Sequence, residues 1–275
     1  MAMMKEFRKK WEAFASWMKH DGKITKLSVS QVSYPDSLVG KRVIVTGGSE
    51  GIGLAIARKL LESGASVVIT GRDLEKLNRR KQELGSEKLF VCQWDVSDIA
   101  AIPEKLKGCI ELLGGCDIFV NNAAYVARYQ PDEEYFDQMV TTDLKAVHYI
   151  CLDLIEHWLK DKGETTRKII NIASLNAYQG GAHPYYYAKR AMLSLTEGLG
   201  RKYAGDNIIV NGVAPGITAS SINYRDVNEN AYYKCPIGRL ILPEEIAGIV
   251  HFLATDAANG IVGQTIVCDG GATLR

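Results

Sequence analysis

Seven short runs of apolar, mostly β-branched residues recur from residue 41 onward: Val43-Ile44-Val45, Val67-Val68-Ile69, Leu89-Phe90-Val91, Ile118-Phe119-Val120, Ile169-Ile170, Ile208-Ile209-Val210 and Ile266-Val267. They lack the every-second-residue alternation of a half-exposed strand, so each predicts a strand buried on both faces. Between them, residues 52–61, 74–84 and 133–160 carry apolar side chains at helical spacing. Strands alternating with helices about six times over admit few architectures. The pattern predicts an α/β fold, a doubly wound parallel sheet with helices on both faces, whose ligands bind at the carboxyl ends of the strands. A chain of 275 residues suits one such domain, placed at 39–275, and no internal repeat or second domain interrupts it.

Residues 1–38 stand outside this rhythm. Phe7, Trp11, Phe14 and Met18 form one stripe of a helix whose other face is basic (Lys5, Arg8, Lys9, Lys10, Lys19). Gly22 ends the helix, and 28–40 reads as a connecting arm. The expected role is packing on its own domain or on a sister subunit. Lys+Arg 33 against Asp+Glu 32 gives no electrostatic case for a nucleic-acid partner. No apolar run approaches the ~18 residues of a membrane span, and the first residues lack the apolar core of a signal peptide. The six cysteines are scattered, without a CxxC pair. Together these features predict a cytoplasmic protein in a reducing compartment.

The first run leads directly into Thr46-Gly47-Gly48-Ser49-Glu50-Gly51-Ile52-Gly53, which opens a helix. A pyrophosphate needs close backbone approach, free N–H groups and the positive end of a helix dipole, and glycines at a strand-to-helix turn supply all three. The turn predicts a dinucleotide site. The end of the second strand then discriminates between cofactors. A carboxylate there bonds the ribose hydroxyls of NAD, whereas a 2′-phosphate wants cations. The sequence is Thr70-Gly71-Arg72-Asp73, with arginine next to a glycine that stands at the acid's position. NADP(H) is therefore favoured over NAD(H), with Glu50 in the glycine loop as the opposing charge. Asp73 is expected to cap the following helix.

After the fifth strand stands Ser174, and eleven residues later the segment Tyr185-Tyr186-Tyr187-Ala188-Lys189. Tyr185 and Lys189 are i and i+4, so a helix places both on one face. A phenol is a poor base at neutral pH, but a neighbouring ammonium favours its ionised form and lets it exchange a proton with a substrate oxygen. Ser174, at the carboxyl end of a strand, is placed to hydrogen-bond that same oxygen. The five histidines show no metal-ligand spacing, and no metal is expected. His183, just before Tyr185, is a candidate for the substrate pocket.

From residue 39 to its C-terminus, the chain resembles the short-chain dehydrogenase/reductase family, in the branch with chains of about 250 residues. The TGxxxGxG pattern is met by Thr46, Gly47, Gly51 and Gly53, the adenine-holding acid by Asp95 followed by Val96, and NNAG by Asn121-Asn122-Ala123-Ala124. The strand end that meets the nicotinamide is matched by Asn211, Val213, Pro215 and Gly216, with Ser220 where threonine is usual. The tail Pro236-Ile237-Gly238-Arg239 through Asp269-Gly270-Gly271 is similar as well. The resemblance implies a Rossmann-like fold, hydride transfer between a nicotinamide and a carbonyl/alcohol pair, and a homodimer or homotetramer. It assigns Ser174, Tyr185, Lys189 and Asp143 to catalysis. Cofactor contacts fall to Gly47, Ser49, Gly51, Ile52, Gly53, Arg72, Asp95, Val96, Asn122, Tyr185, Lys189, Pro215, Gly216 and Ile217.

Three departures from the family pattern follow. Ala124 replaces the last glycine of NNAG, the Ser174-to-Tyr185 gap is short, and Asp143 stands where a helical asparagine normally holds a water leading from the lysine to solvent. An aspartate keeps the acceptor, loses the donor and raises the pKa of a nearby ammonium. The substrate, a small-molecule carbonyl or alcohol, is expected between 174–185 and a lid at 217–243 bearing Tyr224, Tyr232 and Tyr233. The rival readings are an NAD(H)-preferring dehydrogenase, a sugar-nucleotide epimerase or dehydratase, and a cofactor-binding scaffold that has lost turnover.

Overall fold

The computed structural model describes residues 36–125, 130, 132–161, 165–219 and 235–274, together with Trp11. The helical stripe expected in 1–38 and the tyrosines of the expected lid lie outside these residues, apart from Trp11 and 36–38. Each of the seven apolar runs forms a strand: β1 Arg42–Val45, β2 Ser66–Gly71, β3 Leu89–Gln93, β4 Ile118–Asn121, β5 Arg167–Ile172, β6 Ile208–Pro215 and β7 Thr265–Cys268. They lie in the order β3-β2-β1-β4-β5-β6-β7, parallel throughout. The chain winds outward from β1 in one direction and from β4 in the other, so the crevice between these two strands is the topological switch point where this architecture takes its ligands.

The described helices are α1 Gly51–Glu62, α2 Leu74–Leu84, α3 Ile102–Leu113, α4 Glu133–Val140, α5 Ala146–Lys160, α6 Pro184–Tyr203 and α7 Pro243–Ala254. Adjacent strand residues face opposite layers. Ile44, Phe119, Ile169 and Val210 pack with side chains of α3, α5 and α6, including Leu106, Ile150, Leu154 and Met192. Val43, Val45, Val67, Ile118 and Ile170 pack with Ile56 and Leu60 of α1 and Val250 and Leu253 of α7. This explains the unbroken apolar runs, since both faces of each central strand meet a helix layer. Leu38 is fully buried in the second layer, and its N–H donates to the Ser63 carbonyl at 2.9 Å.

The amino ends of the central strands are locked by charge. Asp117 receives hydrogen bonds from Arg42 Nε and Nη2 and from Arg167 Nη1, each at 2.8 Å. The opposite, carboxyl end is left to loops. The 133–160 region, expected as one helical stretch, divides into α4 and α5 at a five-residue π turn, Thr141–Lys145. Among the described residues no helix is long and apolar enough to cross a membrane.

Candidate active site

The glycine turn is built as the spacing predicts. Glu50 precedes α1 in extended conformation without a side-chain cap, and the first turn of the helix carries no acid. The helix N-terminus is thus an open, positive cradle for a phosphate. Space is the second requirement. A Cβ on Gly53 would lie 2.2 Å from the Gly47 carbonyl oxygen, and Gly47 has φ +65 with Ala123 Cα 2.9 Å from its notional Cβ. Asn122 fixes this loop from β4. Its Nδ2 donates to the Thr46 carbonyl at 2.9 Å and to that of Gly47 at 3.0 Å. Thr46 Oγ1 accepts from the N–H groups of Asn122 and Ala123 at 3.0 and 3.1 Å. A tight backbone cradle with an uncapped helix end fits a dinucleotide pyrophosphate.

Around this cradle the predicted cofactor residues fall at strand ends. Arg72 is exposed just past β2, and its carbonyl accepts from Gln93 Nε2 at 2.8 Å. Asp73 caps α2 as expected, accepting from the Lys76 N–H at 2.9 Å. Asp95 is held by Ser97, whose N–H and hydroxyl donate to its Oδ1 at 3.0 and 2.7 Å, while Val96 is buried beside it. Gly216 follows β6, its N–H donating to the Cys268 carbonyl at 2.8 Å, and Ile217 is partly exposed after it. Asn211 lies within β6 rather than at its end. It is buried, with Nδ2 donating to the Ile261 carbonyl at 2.7 Å and Oδ1 accepting from the Gln264 N–H at 3.0 Å, so it ties β6 to the approach of β7.

Two basic residues of α2 lie beside the glycine loop, one of them, Arg80, in a stretch (Arg79-Arg80-Lys81) whose sequence reads as a solvated helix face. Lys76 Nζ lies 2.8 Å from Glu50 Oε1, and Arg80 Nε donates to the Ser49 carbonyl at 3.0 Å. Both sit on one face of α2, four residues apart, turned toward the glycine loop. The i, i+4 spacing beside that loop was the available signal.

Ser174 follows β5 at its carboxyl end, 7% exposed, with Oγ accepting from the Asn176 N–H at 3.2 Å. Its hydroxyl proton is thereby left for another acceptor. Tyr185 and Lys189 occupy successive turns of α6, with Lys189 Nζ 5.6 Å from the Tyr185 ring centroid. Lys189 is 2% exposed and Asp143 not at all, and their charged atoms lie 2.9 Å apart. The ammonium also donates to the Ile172 carbonyl at 3.1 Å, and Asp143 Oδ2 accepts from the Tyr125 N–H at 2.8 Å. Burial alone pulls the lysine pKa down. Asp143 and Tyr185 outweigh it, and the ammonium is held above its ordinary value. The π turn is what aims Asp143 at α6, a local widening of the kind that recurs at functional sites.

The wider setting agrees with this geometry. Residues 47–273 match the profile of a family described as Enoyl-(Acyl carrier protein) reductase. The dehydrogenase/reductase SDR family member 4 of Oryctolagus cuniculus is 34% identical over 261 residues, covering 90% of this chain and all of that protein. Among solved structures, a variant actinorhodin polyketide ketoreductase with NADPH superposes with a TM-score of 0.76 at 28% identity, covering 86% of this chain and 98% of that one. The 3-ketoacyl-(acyl-carrier-protein) reductase of Brucella melitensis with NADH gives a TM-score of 0.79 at 26% identity, covering 86% of this chain and all of that one. With the family profile matched over residues 47–273, a relative 34% identical along its whole length and the seven-stranded parallel sheet in place, the chain belongs to the short-chain dehydrogenase/reductase family.

Proposed function

We propose that this protein is an NADP(H)-dependent carbonyl reductase or alcohol dehydrogenase, with Tyr185 as its acid/base. The observation that carries the reading is the buried ammonium of Lys189 beside the phenol of Tyr185 on one helix, paired with Asp143. Gly47, Ser49, Gly51, Ile52 and Gly53 hold the pyrophosphate, Asp95 and Val96 the adenine, Asn122 the loop beneath, and Pro215, Gly216 and Ile217 the nicotinamide end. NADPH held by these residues would supply the hydride that a substrate carbonyl carbon takes up. Tyr185 gives its proton to the carbonyl oxygen while Ser174 donates a hydrogen bond to it. The Lys189 ammonium stabilises the charge that develops on the phenol oxygen, an electrostatic effect strengthened by burial. Its remaining N–H is free for the ribose hydroxyls. Asp143 keeps that ammonium in place by direct contact.

Support for the 2′-phosphate comes from charge. Glu50, the acid that argued against NADP(H), is paired with Lys76, and Arg72 and Arg80 stand at the same corner. Arg80 is held by Glu83, so the cation offered to a 2′-phosphate is the exposed Arg72. Family precedent supports a homo-oligomer acting on a small-molecule substrate. Tyr185→Phe tests the enzyme reading with a panel of ketones, keto-esters and sugars at fixed NADPH. An enzyme loses most of its rate, roughly 100-fold or more; a scaffold shows no turnover to lose.

A further inference from the structure

The amino end of α6 is built in a way the reaction scheme leaves unused. Its first residue is Pro184, which has no N–H, and its cap is His183, a residue type outside the usual Ser, Thr, Asp and Asn caps. His183 Nδ1 accepts the backbone N–H of Tyr185 at 3.1 Å, and the His183 carbonyl accepts that of Tyr186 at 3.0 Å. A ring nitrogen that accepts carries no proton, so the neutral imidazole holds its proton on Nε2. Nε2 lies 3.0 Å from the Tyr135 hydroxyl. Tyr135 packs edge-on against the same imidazole, centroids 5.4 Å apart at 87°, and against Tyr125 at 5.6 Å and 70°. The Tyr125 N–H donates to Asp143, and Asp143 meets Lys189. The two α6 residues of the site are therefore joined a second time, outside the helix, through His183, Tyr135, Tyr125 and Asp143.

We propose that His183, fixed as its Nε2–H tautomer by the Tyr185 N–H and braced by Tyr135, is the positioning residue of Tyr185. Its Nδ1 pins the peptide of the acid/base tyrosine, while Lys189, a turn further on, is set by Ile172 and Asp143. The proposal rests on the reading of Tyr185 as acid/base. Loss of the cap frays the first turn of α6, displacing Tyr185 and leaving Lys189 in place. Displacements of about 1 Å at a reacting group cost up to about a hundredfold in rate. A cap restored by Asn, whose side-chain oxygen accepts the same N–H, restores the position.

The test uses the NADPH-bound protein. Nitrogen-15 spectra of histidine-labelled protein, with His183 assigned by its absence in His183→Asn, are expected to show an unprotonated Nδ1 and a protonated Nε2. Tyr135→Phe leaves the Tyr185 N–H on Nδ1 and is expected to keep this tautomer while loosening the ring, read as faster amide exchange at Tyr185. In the reduction of ethyl acetoacetate or diacetyl, His183→Ala lowers kcat roughly tenfold with NADPH affinity within about twofold, and His183→Asn recovers most of that loss. Amide exchange at Tyr185 quickens in His183→Ala and slows again in His183→Asn. An Nδ1–H tautomer, unchanged exchange at Tyr185, or a wild-type kcat in His183→Ala overturns the proposal. A wild-type protein that reduces neither probe counts against the oxidoreductase reading, and the tautomer and exchange results still decide the role of His183.

Discussion

Lys189 is a buried cation whose charge is held by Asp143 and, to a lesser degree, Tyr185. Burial lowers its pKa and Asp143 raises it, with the net result upward, so the ammonium persists to higher pH than the lysine alone would allow. Asp143→Asn removes the raising charge while retaining an acceptor. The expected outcome is an enzyme active near neutrality whose alkaline limb moves to lower pH, read from kcat against pH; an inactive variant contradicts this account. Cys92 is predicted to be the thiol most readily alkylated at neutral pH. All six cysteines are free thiols, and a hydrogen bond with Cys109, aided by Lys105 and opposed by burial, brings Cys92 down to about 7. Burial pushes Cys151 up to about 12 and Cys268 up to about 11. Iodoacetamide followed by peptide mapping should find Cys92 modified first, with the rate rising through about pH 7, and first labelling elsewhere contradicts it. Spacing made Ser174, Tyr185 and Lys189 legible because strand ends and helical i, i+4 geometry are local. The partner of Asp143 was not legible as a direct contact, since a backbone widening that aims a side chain leaves no periodic trace.

Strands and helices follow closely from pattern. The run Ile208-Ile209-Val210 lies in an eight-residue strand that is buried throughout, because helices cover both faces of the central sheet. The stretch 133–160 was read as one helix because apolar spacing alone does not register the π turn between α4 and α5. The charged lock on β1, β4 and β5 was equally hidden, since Arg42, Asp117 and Arg167 are far apart in sequence. Burial alone lifts the Asp117 carboxyl, but the two arginines hold it below the ordinary carboxylate range. Its stabilisation is present above the unfolded-state pKa and lost as pH falls through the lower folded value. Asp117→Ala takes this carboxylate from both Arg42 and Arg167, leaving Arg167 with Asp161 and the Cys116 carbonyl. A loss on the order of 3 kcal/mol is expected, a fall in Tm of about 5 °C by calorimetry at pH 7; an unchanged Tm contradicts the lock. At the other end of the strands, Gly53→Ala is expected to fold and to lose dinucleotide binding, measured by fluorescence titration, because the added carbon collides with the loop rather than the core.

For the molecule as a whole, the sheet order sets where function lies. Winding in opposite directions from β1 and β4 sets Gly47, Asn122 and Ser174 just past the carboxyl ends of β1, β4 and β5, and Lys76 and Arg80 of α2 reach the glycine loop. The sequence argument for NADP(H) set Arg72 against Glu50 and left two charges opposed. Lys76 tilts that balance by pairing with the acid, a contact that becomes visible only once α2 is folded onto the loop. The account stands most directly on one comparison, a titration of the purified protein with NADPH and with NADH followed by nucleotide fluorescence. Tighter NADPH binding, by roughly tenfold or more and narrowed by Arg72→Ala or Lys76→Ala, is the predicted result. Preference for NADH contradicts the 2′-phosphate assignment, and binding of neither nucleotide contradicts the oxidoreductase reading itself.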